Sequence, residues 1–209
     1  MDLTPSKLSR THTRLVIDAS VLINILGTGC PADVLECLCR VFSIDEIALR
    51  EVDIDPSTRR SSEDILATLR SQGLLEVIRM DDDAYNRFLG FTAAQPPDDL
   101  DDGEAATLAH AACGQYVAVV DERKATRIAS IHIPEIQVLN SIDLLAAPEL
   151  LNKLGKEKMS DVIYRALRDA RMRVPPRVRH WIADLLGNIR AQECPSLGYC
   201  SASRPERTK

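Results

Sequence analysis

Three acidic residues of this sequence stand where their carboxylates could act together. Asp18 directly follows an apolar run at residues 15–17, and Glu104 opens an alanine-rich stretch that is typical of a helix. Asp121 follows a longer apolar run at residues 116–120. If the two runs are parallel strands, their carboxyl ends meet at the edge of the sheet where ligands bind. Clustered carboxylates repel one another unless a cation joins them, and their hard oxygen atoms favour Mg²⁺ or Mn²⁺. The three acids are therefore predicted metal ligands.

Polar side chains beside these ligands are candidates for supporting positions. Ser20 can donate a hydrogen bond to Asp18 or to a water molecule at the metal, and Glu122 can be a supporting or an alternative ligand. Simpler interpretations stay open, because Asp18 could only cap the helix that follows it. The spacing of Asp101 and Glu104 also matches a capping box, in which the third helical residue reaches back to the cap.

The elements that must position these side chains alternate along the chain. Short β-branched runs and helical patterns follow one another, which predicts an α/β fold with three α/β/α layers around a central parallel sheet. Strands are predicted at residues 15–17, 42–44, 74–78, 116–120 and 136–139. Helices are predicted at residues 21–26, 32–41, 45–52, 61–72, 83–91, 103–113, 123–130 and 142–147.

The pattern divides the chain into three predicted parts. Residues 14–147 contain the alternating strands and helices and form the domain with the acids. Residues 148–187 form a C-terminal helical extension packed on that domain, since apolar side chains recur on one face of its helices. Residues 188–209 are predicted to be a disordered tail, because residues 193–209 show no periodicity.

Composition narrows the class of protein. The 209 residues are 45% hydrophobic and 27% charged, which is enough apolar material for a proper core. No apolar stretch approaches the roughly 20 residues of a membrane helix, and the polar first 13 residues do not resemble a signal peptide. We therefore expect a cytoplasmic protein with no membrane partner, whose six cysteines are reduced thiols.

Charge is distributed unevenly along the chain. Residues 1–150 carry 13 Lys or Arg against 25 Asp or Glu, a net charge of −12, whereas residues 151–209 carry 13 against 6, a net charge of +7. Arg165, Arg168 and Arg171 recur at every third position and would form a stripe on one helix face. We predict that this stripe binds RNA phosphates, although an acidic partner or a solvated surface fits the same pattern.

Several motifs resemble those of the PIN-domain ribonucleases, a family that includes VapC-type toxins. Residues 15–22 (LVIDASVL) are similar to the first motif of the family, and residues 103–109 (GEAATLA) resemble its third. Residues 119–129 (VVDERKATRIA) are similar to the fourth, an acidic and basic run at a strand end. Glu51 would be a surface glutamate by spacing alone, but it falls where the family places its second acid, in a helix after the second strand.

The resemblance covers residues 14–147, and residues 151–186 look similar to the C-terminal helical pair of prokaryotic relatives. It implies Mg²⁺ or Mn²⁺ as the cofactor, cleavage of single-stranded RNA, a homodimer and a small antitoxin protein that covers the site. Many relatives carry a Gly-Thr or Thr-rich pair after the last strand, whereas this chain departs from the pattern with Asn140 and Ser141, of which Ser141 could supply the same hydroxyl group. The implied catalytic set consists of four acids: Asp18, Glu51, Glu104 and Asp121.

These observations predict a metal-dependent endoribonuclease that hydrolyses phosphodiester bonds in single-stranded or loop RNA, as the toxin of a toxin–antitoxin pair. The alternative is a PIN-fold module that binds nucleic acid or protein without nuclease activity, although such a module would be expected to have lost one of the acids. A haloacid-dehalogenase-type phosphohydrolase needs a second aspartate two residues after the first, where Ser20 stands. The sequence contains no glycine-rich phosphate loop ending in Lys-Ser or Lys-Thr, and none of its four histidines has a zinc-like spacing.

Overall fold

The computed structural model describes residues 4–198, and its centre is a parallel sheet. The strands, in chain order, are β1 (Arg14–Ile17), β2 (Val41–Asp45), β3 (Ile54–Asp55), β4 (Arg60–Ser61), β5 (Glu76–Ile78), β6 (Val117–Val119) and β7 (Val138–Leu139). Five of them form the sheet in the order β5-β2-β1-β6-β7, while β3 and β4 pair separately and antiparallel. All pairs within the sheet are parallel, which confirms the predicted sheet. Because β1 and β6 are neighbours, Asp18 and Asp121 follow adjacent strands.

Helices cover both faces of the sheet and complete the predicted three layers. They are, in chain order, α1 (Ala19–Gly27), α2 (Pro31–Leu38), α3 (Glu46–Leu49), α4 (Glu63–Ser71), α5 (Asp82–Thr92), α6 (Asp102–Gly114), α7 (Arg123–His132), α8 (Ser141–Leu145), α9 (Pro148–Asp169) and α10 (Arg179–Gln192). Side chains of β6 alternate between two cores, since Val117 and Val119 face the larger core and Ala118 faces the smaller. The larger core includes α1, α2, α8, α9 and α10, and the smaller includes α5, α6 and α7.

Local capping moves two helix ends away from their predicted positions. The predicted helix at residues 32–41 stops earlier because Cys39 adopts a left-handed conformation with φ of 52°, and Val41 then begins β2. Asp45 ends β2 and caps α3 by accepting a hydrogen bond from the Ile47 amide at 2.7 Å. Since α3 ends at its fourth residue, Glu51 lies in the following turn and not within the helix as predicted.

The C-terminal extension continues beyond its predicted boundary. We predicted a disordered tail at residues 188–209, but α10 runs to Gln192 and a short 3-10 helix follows at Pro195–Leu197. The prediction of disorder is wrong for residues 188–197. Gly187, with φ of 74°, bends the chain there and interrupts the helical periodicity that would have marked the rest of α10. Residues 199–209 lie outside the described residues. Three side chains of the supposed tail are buried in the larger core: Ala191, Cys194 and Leu197.

The end of α9 divides the predicted arginine stripe. Arg165 and Arg168 lie exposed on α9, as their spacing predicted. Arg171 does not belong to that face, because the helix ends at Asp169 and Arg171 adopts φ of 57° in the segment beyond it. The prediction of a three-residue helical stripe is therefore wrong for Arg171.

No single helix between residues 4 and 198 is long and apolar enough to cross a membrane; α1 and α2 pass that test only as a pair, with a bend of 113° between them. The five cysteines within the same part of the chain are free thiols, and Cys200 lies outside it.

Candidate active site

A cleft of about 360 Å³ opens beside the carboxyl ends of β1 and β6. Six carboxylates line this cleft: those of the four acids predicted to be catalytic and those of two further acids, Asp101 and Glu122. The structure thus brings together acids from four separate parts of the chain, at the sheet edge that the sequence indicated. All four acids of the predicted catalytic set line this cleft: Asp18, Glu51, Glu104 and Asp121.

Asp18 is buried at the start of α1, where it both caps the helix and lines the cleft. Its Oδ2 atom accepts hydrogen bonds from the Ser20 amide at 3.2 Å and from the Ser20 hydroxyl at 2.6 Å. The two interpretations of Asp18, helix cap and site residue, are therefore compatible. The Oδ1 atom makes neither of these bonds and lies towards Gly103 of α6.

Asp121 is held on both of its oxygen atoms. Oδ1 accepts from the Ser141 amide at 2.8 Å, and Oδ2 accepts from the Ser141 hydroxyl at 2.5 Å and from Asn24 Nδ2 at 2.7 Å. Burial raises the pKa of Asp121, while the hydrogen bonds from Ser141 and Asn24 oppose that rise. The predicted hydroxyl of Ser141 is thus in contact with the carboxylate. Asn24 was not among the predicted site residues, although a polar residue within the apolar run of α1 is a signal that could have identified it.

The loop that carries Ser141 is fixed by its own capping box. Asn140 accepts from the Asp143 amide at 3.3 Å, and Asp143 Oδ2 accepts from the Asn140 amide at 3.2 Å. The other oxygen of Asp143 accepts from Arg177 Nη2 at 2.7 Å and from the Lys7 amide at 3.0 Å. The N-terminal segment and the C-terminal extension therefore both stabilise the position of Ser141.

Glu104 lies at a position of the cleft where its negative charge is disfavoured. It is buried in the first turn of α6, and its Oε2 atom has no hydrogen-bond partner within residues 4–198. Burial, followed by the charges of Asp18, Asp101 and Glu122, raises its pKa from 4.5 to about 7. The alternative capping box is not formed, because the Asp101 side chain makes no hydrogen bond at the helix start. Glu104 therefore faces the cleft as a carboxyl group without a partner.

Glu51 approaches the same cleft from the turn after α3. Partial dehydration, and then the charges of Asp18, Asp101 and Asp102, raise its pKa. Gly103 allows this approach, since a Cβ atom at that position would lie 2.8 Å from Glu51 Oε1 and 3.2 Å from Asp18 Oδ1. The glycine of the third motif is thus explained by the space that two carboxylates occupy.

Two arginines of the C-terminal extension form the rim of the cleft. Arg171 and Arg173 line it, and both are exposed, whereas Met172 and Val174 are buried between and after them. The two buried side chains therefore anchor the segment and hold its arginines at the cleft. Arg173 Nη1 also pairs with Glu122 Oε2 at 2.5 Å. Arg173 was not among the predicted site residues, and its contact with a residue 51 positions away leaves no trace in the local sequence.

The other two arginines of the predicted RNA-binding set lie apart from the cleft. Arg165 and Arg168 are absent from its lining. Arg168 forms a double hydrogen bond with the neighbouring Asp169, at 2.7 and 2.9 Å. The structure therefore brings Arg171 to the acids and leaves Arg165 and Arg168 on the exposed face of α9.

The donor atoms suit a divalent cation. Carboxylate oxygens are the ligands that Mg²⁺ and Mn²⁺ prefer, and a cation would offset both the repulsion between the acids and the burial of Glu104 Oε2. Within the described residues, however, no three acids, histidines or cysteines converge closely enough to hold one ion. Asp18 and Asp121 are instead held by hydroxyl and amide donors. The chemistry of the site fits the metal, and binding it requires the carboxylates to draw together.

Comparison with known proteins identifies the family. A PIN-domain family model matches residues 14–188, so the chain belongs to the PIN-domain family, whose members are generally metal-dependent nucleases. Among solved structures, the chain is similar to one of a VapBC2 complex from Rickettsia felis bound to a DNA fragment from their promoter. That match has 15% sequence identity and a TM-score of 0.42, and it covers 61% of this chain and 98% of the other. No curated protein matches the sequence.

Proposed function

We propose that this protein is a metal-dependent endoribonuclease that hydrolyses phosphodiester bonds in single-stranded or loop RNA, with Mg²⁺ or Mn²⁺ as its cofactor. The observation that carries the proposal is the buried, unpartnered Oε2 of Glu104 in a cleft lined by six carboxylates. Burying a charge without a partner costs several kcal/mol, roughly, so such a group persists where a ligand compensates it. Membership of a family of nucleases supports the same conclusion.

Each acid has a distinct task in this proposal. Asp18, Glu104 and Asp121 would hold the metal, which when bound supplies positive charge and Lewis acidity at the scissile phosphate. Ser20 and Ser141 orient Asp18 and Asp121 through the hydrogen bonds described above. Glu51 is exposed and has a raised pKa, so it can orient a water molecule and accept its proton.

The first test is the cleavage of a mixed single-stranded RNA pool by Asp18→Asn. This substitution can keep both hydrogen bonds from Ser20 on the remaining oxygen, and it removes the charge that faces the cleft. We expect cleavage with Mg²⁺ or Mn²⁺ by the wild type, none with EDTA, and a loss of at least about 100-fold in the variant. The matched control is Glu157→Gln, an exposed acid of α9 that does not line the cleft. Normal cleavage by Asp18→Asn would refute the assignment, and a folded wild type that cuts no RNA would favour the interaction module.

The biological setting that we propose is a toxin whose small antitoxin partner covers the cleft, with the toxin itself a homodimer. Expression of the wild type should then arrest growth, whereas Asp18→Asn should not. Sedimentation of the purified protein gives its oligomeric state, and a mass corresponding to a monomer would contradict the homodimer.

A further inference from the structure

A second groove, of about 750 Å³, adjoins the acidic cleft. Asp121 and Arg173 line both spaces, so the two lie next to each other. Within residues 4–198, Asp121 is the one carboxylate that lines this groove. Four arginines line it: Arg123, Arg127, Arg173 and Arg179. Two of these arginines pair with acids outside the lining, Arg127 with Asp98 and Arg173 with Glu122, whereas the other two form no ion pair within the same residues.

The first wall of the basic groove is one face of α7. Successive intervals of three, one and three residues place its groove-lining side chains on the same side of the helix. The opposite side packs into the smaller core through Ala125, Ile128 and Ala129. Both arginines of this wall are exposed, and Arg123 forms no ion pair within residues 4–198, while Arg127 pairs with Asp98 at 2.5 Å. The lining residues of this wall are Arg123, Thr126, Arg127 and Ser130.

The second wall comes from the C-terminal extension, between α9 and α10. Val174 and Val178 are buried and anchor this segment to the larger core. Pro175 and Pro176 lie between them, where their fixed φ angles restrict the backbone and their rings offer apolar surface to the groove. Arg179 lies at the end of this wall, and its Nε atom donates to the Val174 carbonyl at 3.4 Å.

We propose that the basic groove binds the sugar–phosphate backbone of a single RNA strand and guides it into the acidic cleft. This inference rests on the proposed nuclease function and names the path of its substrate. Six carboxylates repel a polyanion, so a strand can reach the cleft only where adjoining positive charge compensates that repulsion. Arginine side chains bind phosphate oxygens through paired N–H donors, and four arginines line this groove.

The position of the groove also separates this inference from the arginine stripe of α9. Arg165 and Arg168 do not line the groove or the cleft. An acidic protein segment would be attracted by the same arginines. The observations favour a nucleic acid, because the groove adjoins a carboxylate cleft that suits a metal ion bound to a phosphate.

The test reverses one charge on each wall, in the double variant Arg123→Glu with Arg179→Glu. Both residues are the first of their helices, where glutamate interacts favourably with the helix dipole, so the fold should be retained. The matched control is Arg70→Glu with Lys156→Glu, which makes the same change of charge at exposed positions outside both spaces. A third variant, Arg165→Glu with Arg168→Glu, tests the stripe. Circular dichroism and thermal melts verify that all of them are folded.

Binding is measured by anisotropy with a fluorescein-labelled 12-nucleotide single-stranded RNA of mixed sequence, in EDTA, between 50 and 200 mM salt. Because no cleavage occurs without metal, binding is read independently of the nuclease activity. We expect the groove variant to lose at least about tenfold in affinity, and the slope of log K against log salt to flatten by about 1.4, or about 0.7 for each phosphate contact. The control should stay within about twofold of the wild type.

Several outcomes would overturn the proposal: no binding by the wild type, equal losses in the groove variant and its control, or a loss confined to the stripe variant. Displacement of the RNA by an equal concentration of polyglutamate would overturn the proposal in favour of an acidic partner.

With metal present, the groove variant should have a higher KM and a nearly unchanged kcat. Cleavage with unaltered KM in the groove variant would refute the groove but not the nuclease. RNA binding that depends on the groove without any cleavage would refute the nuclease but not the groove.

Discussion

Removing the charge of Glu104 should stabilise the protein while abolishing its proposed activity. Glu104→Gln keeps the shape of the side chain and replaces a buried carboxylate that has no hydrogen-bond partner within residues 4–198. Its pKa of about 7, compared with an ordinary value of 4.5, measures the cost of ionising it in the folded state. Each pKa unit corresponds to about 1.4 kcal/mol, so this rise corresponds to about 3 kcal/mol at full burial. We expect about 2 kcal/mol, because the cleft is open to solvent.

The pH dependence has a defined direction. Unfolded Glu104 loses its proton near pH 4.5, whereas the folded protein retains it until about pH 7. The folded state therefore binds more protons within this interval, and the wild type loses stability as the pH rises through it. Glutamine does not titrate, so the free energy of unfolding of Glu104→Gln should exceed that of the wild type by an amount that grows with pH. The gap should widen by about 2 kcal/mol between pH 5 and pH 8.

Urea unfolding in EDTA at pH 5, 6, 7 and 8 measures this gap, with Glu157→Gln as the control for loss of an exposed acid. The comparison isolates Glu104, since the raised pKa values of Glu51 and Asp121 affect the wild type and both variants alike. With Mn²⁺ in place of EDTA, the metal should stabilise the wild type and the control but not Glu104→Gln, because a ligand stabilises only the state that binds it. A gap that stays constant with pH would refute the electrostatic reasoning.

Three further predictions concern the same cleft. Gly103→Ala would place a Cβ atom 2.8 Å from Glu51 Oε1, and we expect kcat/KM to fall at least about tenfold. The control is Gly90→Ala, at a helical position where a Cβ atom would meet nothing within 4 Å. This control should leave kcat/KM unchanged and raise the melting temperature. Ser141→Ala removes one donor from Asp121, and calorimetric titration should show about 10- to 100-fold weaker Mn²⁺ binding; unchanged affinity would contradict the positioning by that hydroxyl. Cleavage should stop on addition of EDTA and return with an excess of Mg²⁺ or Mn²⁺. It should not return with Ca²⁺, because Ca²⁺ prefers more ligands at longer distances. Equal rescue by Ca²⁺ would contradict the predicted metal.

The sheet and the acids could be predicted because both depend on local patterns. Buried parallel strands require continuous β-branched runs, and such runs placed β1 and β6 within one or two residues of their observed ends. Asp18 and Asp121 follow these runs directly, so their common position at the sheet edge followed from the topology. Glu51 was predicted through the family resemblance, because a glutamate in a short turn has no local signature.

What could not be predicted depends on single backbone angles and on distant contacts. Cys39 and Arg171 adopt positive φ angles without being glycine, and no residue pattern marks such positions. Gly187 interrupts α10, and the end of the chain beyond this helix has no regular apolar pattern, so the sequence of this part resembled a disordered tail. The pairing of Arg173 with Glu122 joins two elements whose packing angle only the folded chain determines.

The alternation of Arg171, Met172, Arg173 and Val174 makes the length of this segment as important as its composition. Met172 and Val174 are the buried anchors of the segment, and they hold the exposed side chains of Arg171 and Arg173 at the cleft. Inserting or deleting a residue between the two anchors would change their spacing, so both could no longer keep their places in the core. The positive charge at the carboxylates therefore depends on two uncharged residues, even though no acid of the cleft lies within the segment.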